Sequence, residues 1–197
     1  MSAVLVLYYS RHGATRRLAQ QIARGVQAEG LPVWLRTVPE WGESTAHAGE
    51  HPDDDPRVSA HEIEYCMGLA LGSPSYFGQM AAPMKHFWDS TSADWLKGSL
   101  IDKPACVFTS SSSQHGGQEA TLLGLMLPLL HHGMLVLGLP YSEPALHQTQ
   151  QGGAPYGAGH TGHQPGLSPH EQQLARIQGQ RLAQVCKKLR DNVPRPR

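Results

Sequence analysis

No stretch of the sequence is apolar for long enough to cross a bilayer as a helix, which takes about 20 such residues. No charge of one sign dominates either: Lys plus Arg number 16, Asp plus Glu number 16, and the net charge is zero. Nucleic-acid binding draws its affinity from neutralised phosphates, so nucleic acid is not an expected partner. Cysteine is scarce. Cys66, Cys106 and Cys186 are odd in number and widely spaced, with no Cys-x-x-Cys pair to suggest zinc or redox chemistry. Met1-Ser2-Ala3 runs directly into a strand-like segment, without a basic region before it or a cleavage pattern after it. These absences predict a soluble, cytoplasmic protein with reduced, buried thiols and no membrane partner.

What is present reads as one α/β domain. The 197 residues suit a single domain over 1–197. Short apolar runs of the kind buried on both faces of a sheet occur at Val4 to Tyr9, Met67 to Leu71, Ala105 to Thr109 and Met134 to Leu139, with a weaker one at Val33 to Val38. Helical spacing fills the intervals. Leu18, Ile22 and Val26 recur before a stop at Gly30; Met80, Met84, Phe87 and Trp88 share one face, as do Leu122, Met126, Leu129 and Leu130. The last helix has Ser168 as N-cap, Pro169 at its first position and Glu171 completing a capping box, then Leu174, Ile177, Val185 and Leu189, where it should close. Strands alternating with helices imply right-handed βαβ units, hence a doubly wound parallel sheet with helices on both faces. Two long loops interrupt the alternation, at about 39–57 and 141–166. The acidic first one has no assigned role; Ala154-Pro155-Tyr156-Gly157 marks the second as an ordered excursion.

Ligands of such sheets collect beyond the carboxyl ends of the strands, where strand order reverses. Three loops of small residues leave apolar runs there. Ser10-Arg11-His12-Gly13-Ala14-Thr15 precedes a helix whose N-terminal N–H groups, with the two hydroxyls, suit a phosphate, although the same residues would equally make a plain capped turn. Gly72-Ser73-Pro74-Ser75-Tyr76-Phe77-Gly78-Gln79 brings two aromatics beside the same point, fit for a flat ligand. Thr109-Ser110-Ser111-Ser112-Ser113-Gln114-His115-Gly116-Gly117-Gln118-Glu119, leading into a helix, is the third. Each alone reads as a surface loop; jointly they point to one site.

Tyr8-Tyr9-Ser10 with Gly13 and Thr15, the Pro74 to Gly78 loop, Gly116-Gly117-Gln118-Glu119, His131-His132-Gly133-Met134 and Gly153 to Gly157 resemble the tryptophan-repressor-binding protein (WrbA) type of NAD(P)H:quinone oxidoreductase, in order along nearly the whole chain. That resemblance implies a flavodoxin-like five-stranded sheet of order 2-1-3-4-5, one non-covalent FMN per subunit, a homotetramer, and two-electron reduction of quinones by NAD(P)H. It assigns the FMN phosphate to Ser10, Arg11, His12, Gly13, Ala14 and Thr15. Ser75, Tyr76, Phe77 and Gly78 fall beside the ring and ribityl chain, and Ser110, Ser111, Ser112, Ser113, Gln114, His115 and Gly116 close over them. His131 would arrive from a neighbouring subunit, and Trp95, with His12, would meet nicotinamide or quinone. No side chain is an obligatory catalyst, because the flavin carries the hydride; donor and acceptor sharing one flavin face would turn over by a ping-pong scheme. The family usually has Tyr at the position of His12, Arg at that of Tyr76 and a more glycine-rich stretch around Gln114-His115. FMN binding, which relies on backbone groups and hydroxyls, is expected to tolerate these changes; they bear on the nucleotide contacts.

Other signals are weaker. Gly157-Ala158-Gly159-His160-Thr161-Gly162 spells a dinucleotide fingerprint but is expected to follow no strand and open no helix. His160 with His163, and His131 with His132, lack a Cys or carboxylate at zinc spacing, so no metal is expected. Ser110 to Ser113 lacks the strained Gly-x-Ser-x-Gly elbow of a hydrolase. Two alternative functions remain beside the reductase: a one-electron carrier, which would want a strongly acidic surface, and a regulatory binding protein, for which no recognition helix is present.

Overall fold

The computed structural model describes residues 2–40, 55–162 and 166–191, so most of the acidic loop, and His163, lie outside the described residues. Val4–Tyr8 forms β1 and is buried throughout. It lies in parallel between β2 (Val33–Thr37) and β3 (Gly68–Tyr76), which excludes water from both of its edges. The short β4 (Gln79–Met80) turns back antiparallel on the end of β3. On its other side β3 pairs in parallel with β5 (Pro104–Ser111).

The lane beyond β5 is divided. β6 (Leu135–Val136) pairs with Pro104 and Ala105, whereas β7 (Gly157–Thr161) pairs with Val107 to Ser111. The order of the main lanes is thus the expected 2-1-3-4-5, but the described strands number seven rather than five. Most of the Gly157 to Gly162 segment, Gly157–Thr161, is itself a sheet strand; its glycines hide it from a search for β-branched residues. The excursion before it anchors through Leu139 and Ala145, which pack on Leu174.

Alternation along β1 sorts two cores. Val4, Val6 and Tyr8 face α1 (Ala14–Ala28) and α7 (Pro169–Asp191), while Leu5, Leu7 and Tyr9 face the side of α2 (Ala60–Tyr65), α3 (Ala82–Asp89) and α5 (Gln118–His131). α4 (Ser92–Lys97) and α6 (Pro144–Gln148) are short connectors. The capping box of α7 forms as expected: Glu171 N–H donates to Ser168 Oγ at 3.2 Å and Ser168 N–H to Glu171 Oε2 at 2.7 Å. A second box, Ser59 with Glu62, starts α2 and was equally readable in the sequence.

Three expected helical faces are corrected. Met80 belongs to β4, since the helix begins only at Ala82, just ahead of Pro83. Leu130 is 56% exposed, because α5 is apolar on every side and spacing alone cannot say which side meets the sheet. On α7 the buried stripe is Leu174, Ala175, Gln178, Leu182, Ala183 and Cys186, offset from Val185 and Leu189. Gly179 lies within that stripe, and small residues there let α7 approach α1 closely. All three cysteines are free and buried. Burial pushes the Cys66 thiol up to about 11 and the Cys186 thiol up to about 12, so both stay protonated near neutrality.

Candidate functional site

The three small-residue loops meet in one cleft of about 390 Å³ at the carboxyl ends of β1, β3 and β5. That volume lies in the range of about 300–1,000 Å³ usual for ligand sites. Its walls include Ser10, Arg11, His12, Ala14 and Thr15 from the first loop, Pro74, Ser75 and Tyr76 from the second, and Ser110, Ser111 and Ser112 from the third. Arg17, His160 and Gly162 join them, none of which the sequence reading singled out for this site.

The first loop turns into α1 at Gly13, whose φ of 81° is left-handed backbone that glycine adopts freely. No side chain caps this helix, so the N–H groups of its first turn stay available to a ligand. The Thr15 and Ser110 hydroxyls lie 2.9 Å apart and tie the first loop to the third. The second and third loops are joined in turn by Ser75 Oγ, which donates to Gly116 O at 2.8 Å and accepts from Thr121 Oγ1 at 2.8 Å. Thr109 Oγ1 donates to Ser73 O at 2.7 Å just below them. Ser10 is the exception. Its Oγ is buried and has no partner, a costly state for a hydroxyl and one that a ligand acceptor would relieve.

Arg11 and Arg17 add positive charge to the same cleft, whereas Arg16 is engaged with Asp55 at 3.2 Å. The site is thus more cationic than its hydroxyls alone suggest. Tyr9 hydrogen-bonds Glu40 at 2.8 Å; burial and that carboxylate hold its phenol above the ordinary tyrosine range, leaving it protonated.

Other expected site residues fall elsewhere. Phe77 and Gly78 form the two-residue turn from β3 to β4, both with positive φ, and the Phe77 side chain is fully exposed. A bulky residue in that conformation is uncommon and strained. Ser113 accepts the Ser111 hydroxyl on its carbonyl, and Gln114 and His115 line a neighbouring hollow with Gly152 and Gly153. Trp95 and His131 are joined, Trp95 Nε1 donating to His131 O at 2.9 Å. They line a second cleft of about 710 Å³ with Trp88, Leu127 and His132, not the first one. Among the described residues no cluster of His, Cys, Asp and Glu could hold a metal ion, and no helix is long and apolar enough to cross a membrane.

Comparison with known proteins places this architecture. The family described as NADPH-dependent FMN reductase matches residues 3–144. A protein of Chromohalobacter salexigens named NAD(P)H dehydrogenase (quinone) is 45% identical over 96% of this chain and 99% of its own length. One of the same name from Solidesulfovibrio magneticus is 40% identical over 95% and 98%. In fold, the chain is similar to a WrbA-like flavodoxin from Agrobacterium tumefaciens, at a TM-score of 0.72 and 24% identity over 95% of this chain and 99% of that one. An unclothed helix start, a buried hydroxyl awaiting an acceptor and end-to-end similarity at this level agree: the chain belongs to the NADPH-dependent FMN reductase family, alongside the NAD(P)H dehydrogenases (quinone).

Proposed function

We propose that this protein is an FMN-dependent NAD(P)H:quinone oxidoreductase that holds FMN non-covalently in the cleft at Ser10 to Thr15 and reduces quinones by two electrons. The observation that carries the reading is the buried, unpartnered Ser10 hydroxyl at the foot of an uncapped helix. That pair of features suits a phosphate dianion, which accepts hydrogen bonds and favours the positive end of α1. Bound FMN supplies the hydride chemistry that no side chain here provides.

The protein's own part is to bind and orient. Ser10, Thr15 and the first-turn N–H groups would hold the phosphate, with Arg11 and Arg17 contributing charge. Ser75, Tyr76 and Ser110 to Ser112 form the walls along which the rest of the cofactor would extend. Phe77, exposed and held in a strained turn, is available to a flat partner arriving from outside. NADH or NADPH and a quinone are the substrates of this reading, with the cytoplasm as its setting and no nucleic acid or membrane required.

The separation of Trp95 and His131 from the first cleft favours their acting on a neighbouring copy. α5 supports self-association, since Leu123, Leu127 and Leu130 are all exposed on it and Leu96 and Ile101 are exposed as well. An apolar surface of this kind is a common mark of a protein interface. We read the assembly as a homotetramer in which Trp95 and His131 complete a partner's substrate site.

Two measurements test these roles. Ser10→Ala is expected to weaken FMN binding about tenfold or more, the worth of a hydrogen bond to a charged group. The thermal midpoint of the apoprotein should stay level or rise, because the variant also removes an unsatisfied buried hydroxyl. Flavin fluorescence titration and melting curves read the two effects, and an unchanged FMN affinity would remove the phosphate role. Trp95→Ala is expected to leave FMN affinity within about twofold while raising the quinone KM about three- to tenfold, the worth of one aromatic contact. Steady-state assays with benzoquinone check it; an unchanged KM would take Trp95 out of the substrate site.

A further inference from the structure

One buried titratable pair takes no part in the roles above. His160, on β7, is 1% exposed and Glu171, in the first turn of α7, is 0% exposed. His160 Nδ1 lies 3.0 Å from Glu171 Oε2. The carboxylate is well supplied with donors: Oε1 accepts from the N–H groups of Gly152 at 3.0 Å and Thr161 at 3.1 Å, and Oε2 from that of Ser168 at 2.7 Å. Burial alone would raise the Glu171 pKa, but the hydrogen bonds from His160 and from the Ser168 and Gly152 N–H groups outweigh it and hold the group below the ordinary carboxylate value. Glu171 is therefore an acceptor, and Nδ1 of His160 carries the proton between them.

Nε2 is the ring nitrogen that Glu171 does not engage, and His160 lines the cleft together with Ser10, Thr15 and Ser110. Strand register locates the ring along the cleft. His160 pairs with Ser110 across β7 and β5, and the Ser110 hydroxyl touches Thr15 at the start of α1. The imidazole thus stands at the end of the cleft where the uncapped helix begins. If the pair served only to fasten β7 to α7, a neutral amide would do as well.

We propose that His160, oriented by Glu171, is a binding residue for the phosphate of the cofactor, donating through Nε2 to a phosphate oxygen. Glu171 is the positioning residue: it fixes the ring. This inference rests on the FMN reading given above. It deepens that reading by naming which buried side chain recognises the phosphate beyond the hydroxyls and the helix start.

Riboflavin, which is FMN without the phosphate, separates the roles. The wild-type apoprotein, His160→Gln and Glu171→Gln would each be titrated with FMN and with riboflavin by fluorescence. His160→Gln keeps a donor for Glu171 but removes the second ring nitrogen. It is expected to weaken FMN binding about tenfold or more, in line with a charge-assisted bond, and to change riboflavin binding by less than about twofold. Glu171→Gln should shift the FMN-to-riboflavin preference in the same direction. The preference is a ratio within each protein, so partial loss of folded material cancels. Should either variant fail to fold, the ¹⁵N resonance of His160 Nε2 in the wild type decides: it should move on adding FMN and not on adding riboflavin. Equal weakening of both flavins, or a resonance indifferent to the phosphate, overturns the proposal. A wild-type apoprotein that binds neither flavin overturns the cofactor reading itself, and this proposal with it.

Discussion

Replacing Glu171 with Leu is expected to lower stability by about 3–5 kcal/mol, the range for removing a buried charged partner and leaving its hydrogen-bonding groups unpaired. The change strands His160, itself 1% exposed, and also leaves the N–H groups of Gly152, Thr161 and Ser168 without their acceptor. These groups lie on the excursion before β7, on β7 and at the start of α7, so the carboxylate joins three segments, of which β7 lines the cleft through His160. The pH dependence follows from the direction of its shift. The folded pKa of Glu171 lies below its ordinary value of 4.5, so its contribution is present above that value and is lost as pH falls through the lower folded value. Thermal melts of the apoprotein at descending pH should therefore show a shallower acid decline in Glu171→Leu than in the wild type. Some decline should persist, because Glu62, paired with Arg36, is lowered as well. A variant as stable as the wild type, with the same acid limb, would contradict the role given to this carboxylate.

Gly25→Ala is expected to cost about 2–3 kcal/mol, as overpacking does, although alanine is the better helix former by about 1 kcal/mol. A Cβ at Gly25 would lie 2.1 Å from Arg176 O on α7, and one at Gly179 would lie 2.1 Å from Ile22 O on α1. Each glycine thus faces the other helix's backbone, which cannot swing aside as a side chain can. For a domain of this size the loss corresponds to a fall in Tm of about 5–10 °C. The double variant, Gly25→Ala with Gly179→Ala, should cost less than the sum of the singles, because parting the helices once relieves both clashes. Denaturant titration of the four proteins checks the pattern. A stabilised Gly25→Ala, or strict additivity, would mean that α1 and α7 do not meet through these residues.

The parts of the fold that were legible in the sequence are those where burial on both faces leaves a solid apolar run. β1 and β5 are fully buried and stood out at once, and Ser168 with Glu171 announced the start of α7. β7 did not stand out, because Gly157 and Gly159 each lie against neighbouring backbone, and close approach selects small residues over β-branched ones. In the same way the contact face of α7 was misplaced: the residues nearest α1 are glycine and alanine, and periodicity weighted by hydrophobicity passes over them. The cleft was readable from three loops rich in Ser and Gly, since helix starts and strand ends have few other ways to offer donors. His160 was not, because its partner Glu171 lies 11 residues away on another element and no local spacing links them. Its appearance inside a glycine-rich strand, where a polar ring has no packing purpose of its own, was the available signal.

The most direct test of the central claim is the oxidation of NADH and of NADPH by the FMN-loaded protein, with and without benzoquinone, against the flavin-free apoprotein. Quinone-dependent turnover that requires FMN, with parallel lines in double-reciprocal plots at varied quinone, is the expected result. A protein that binds FMN yet shows no quinone-dependent oxidation of either nucleotide would contradict the assignment as a quinone reductase.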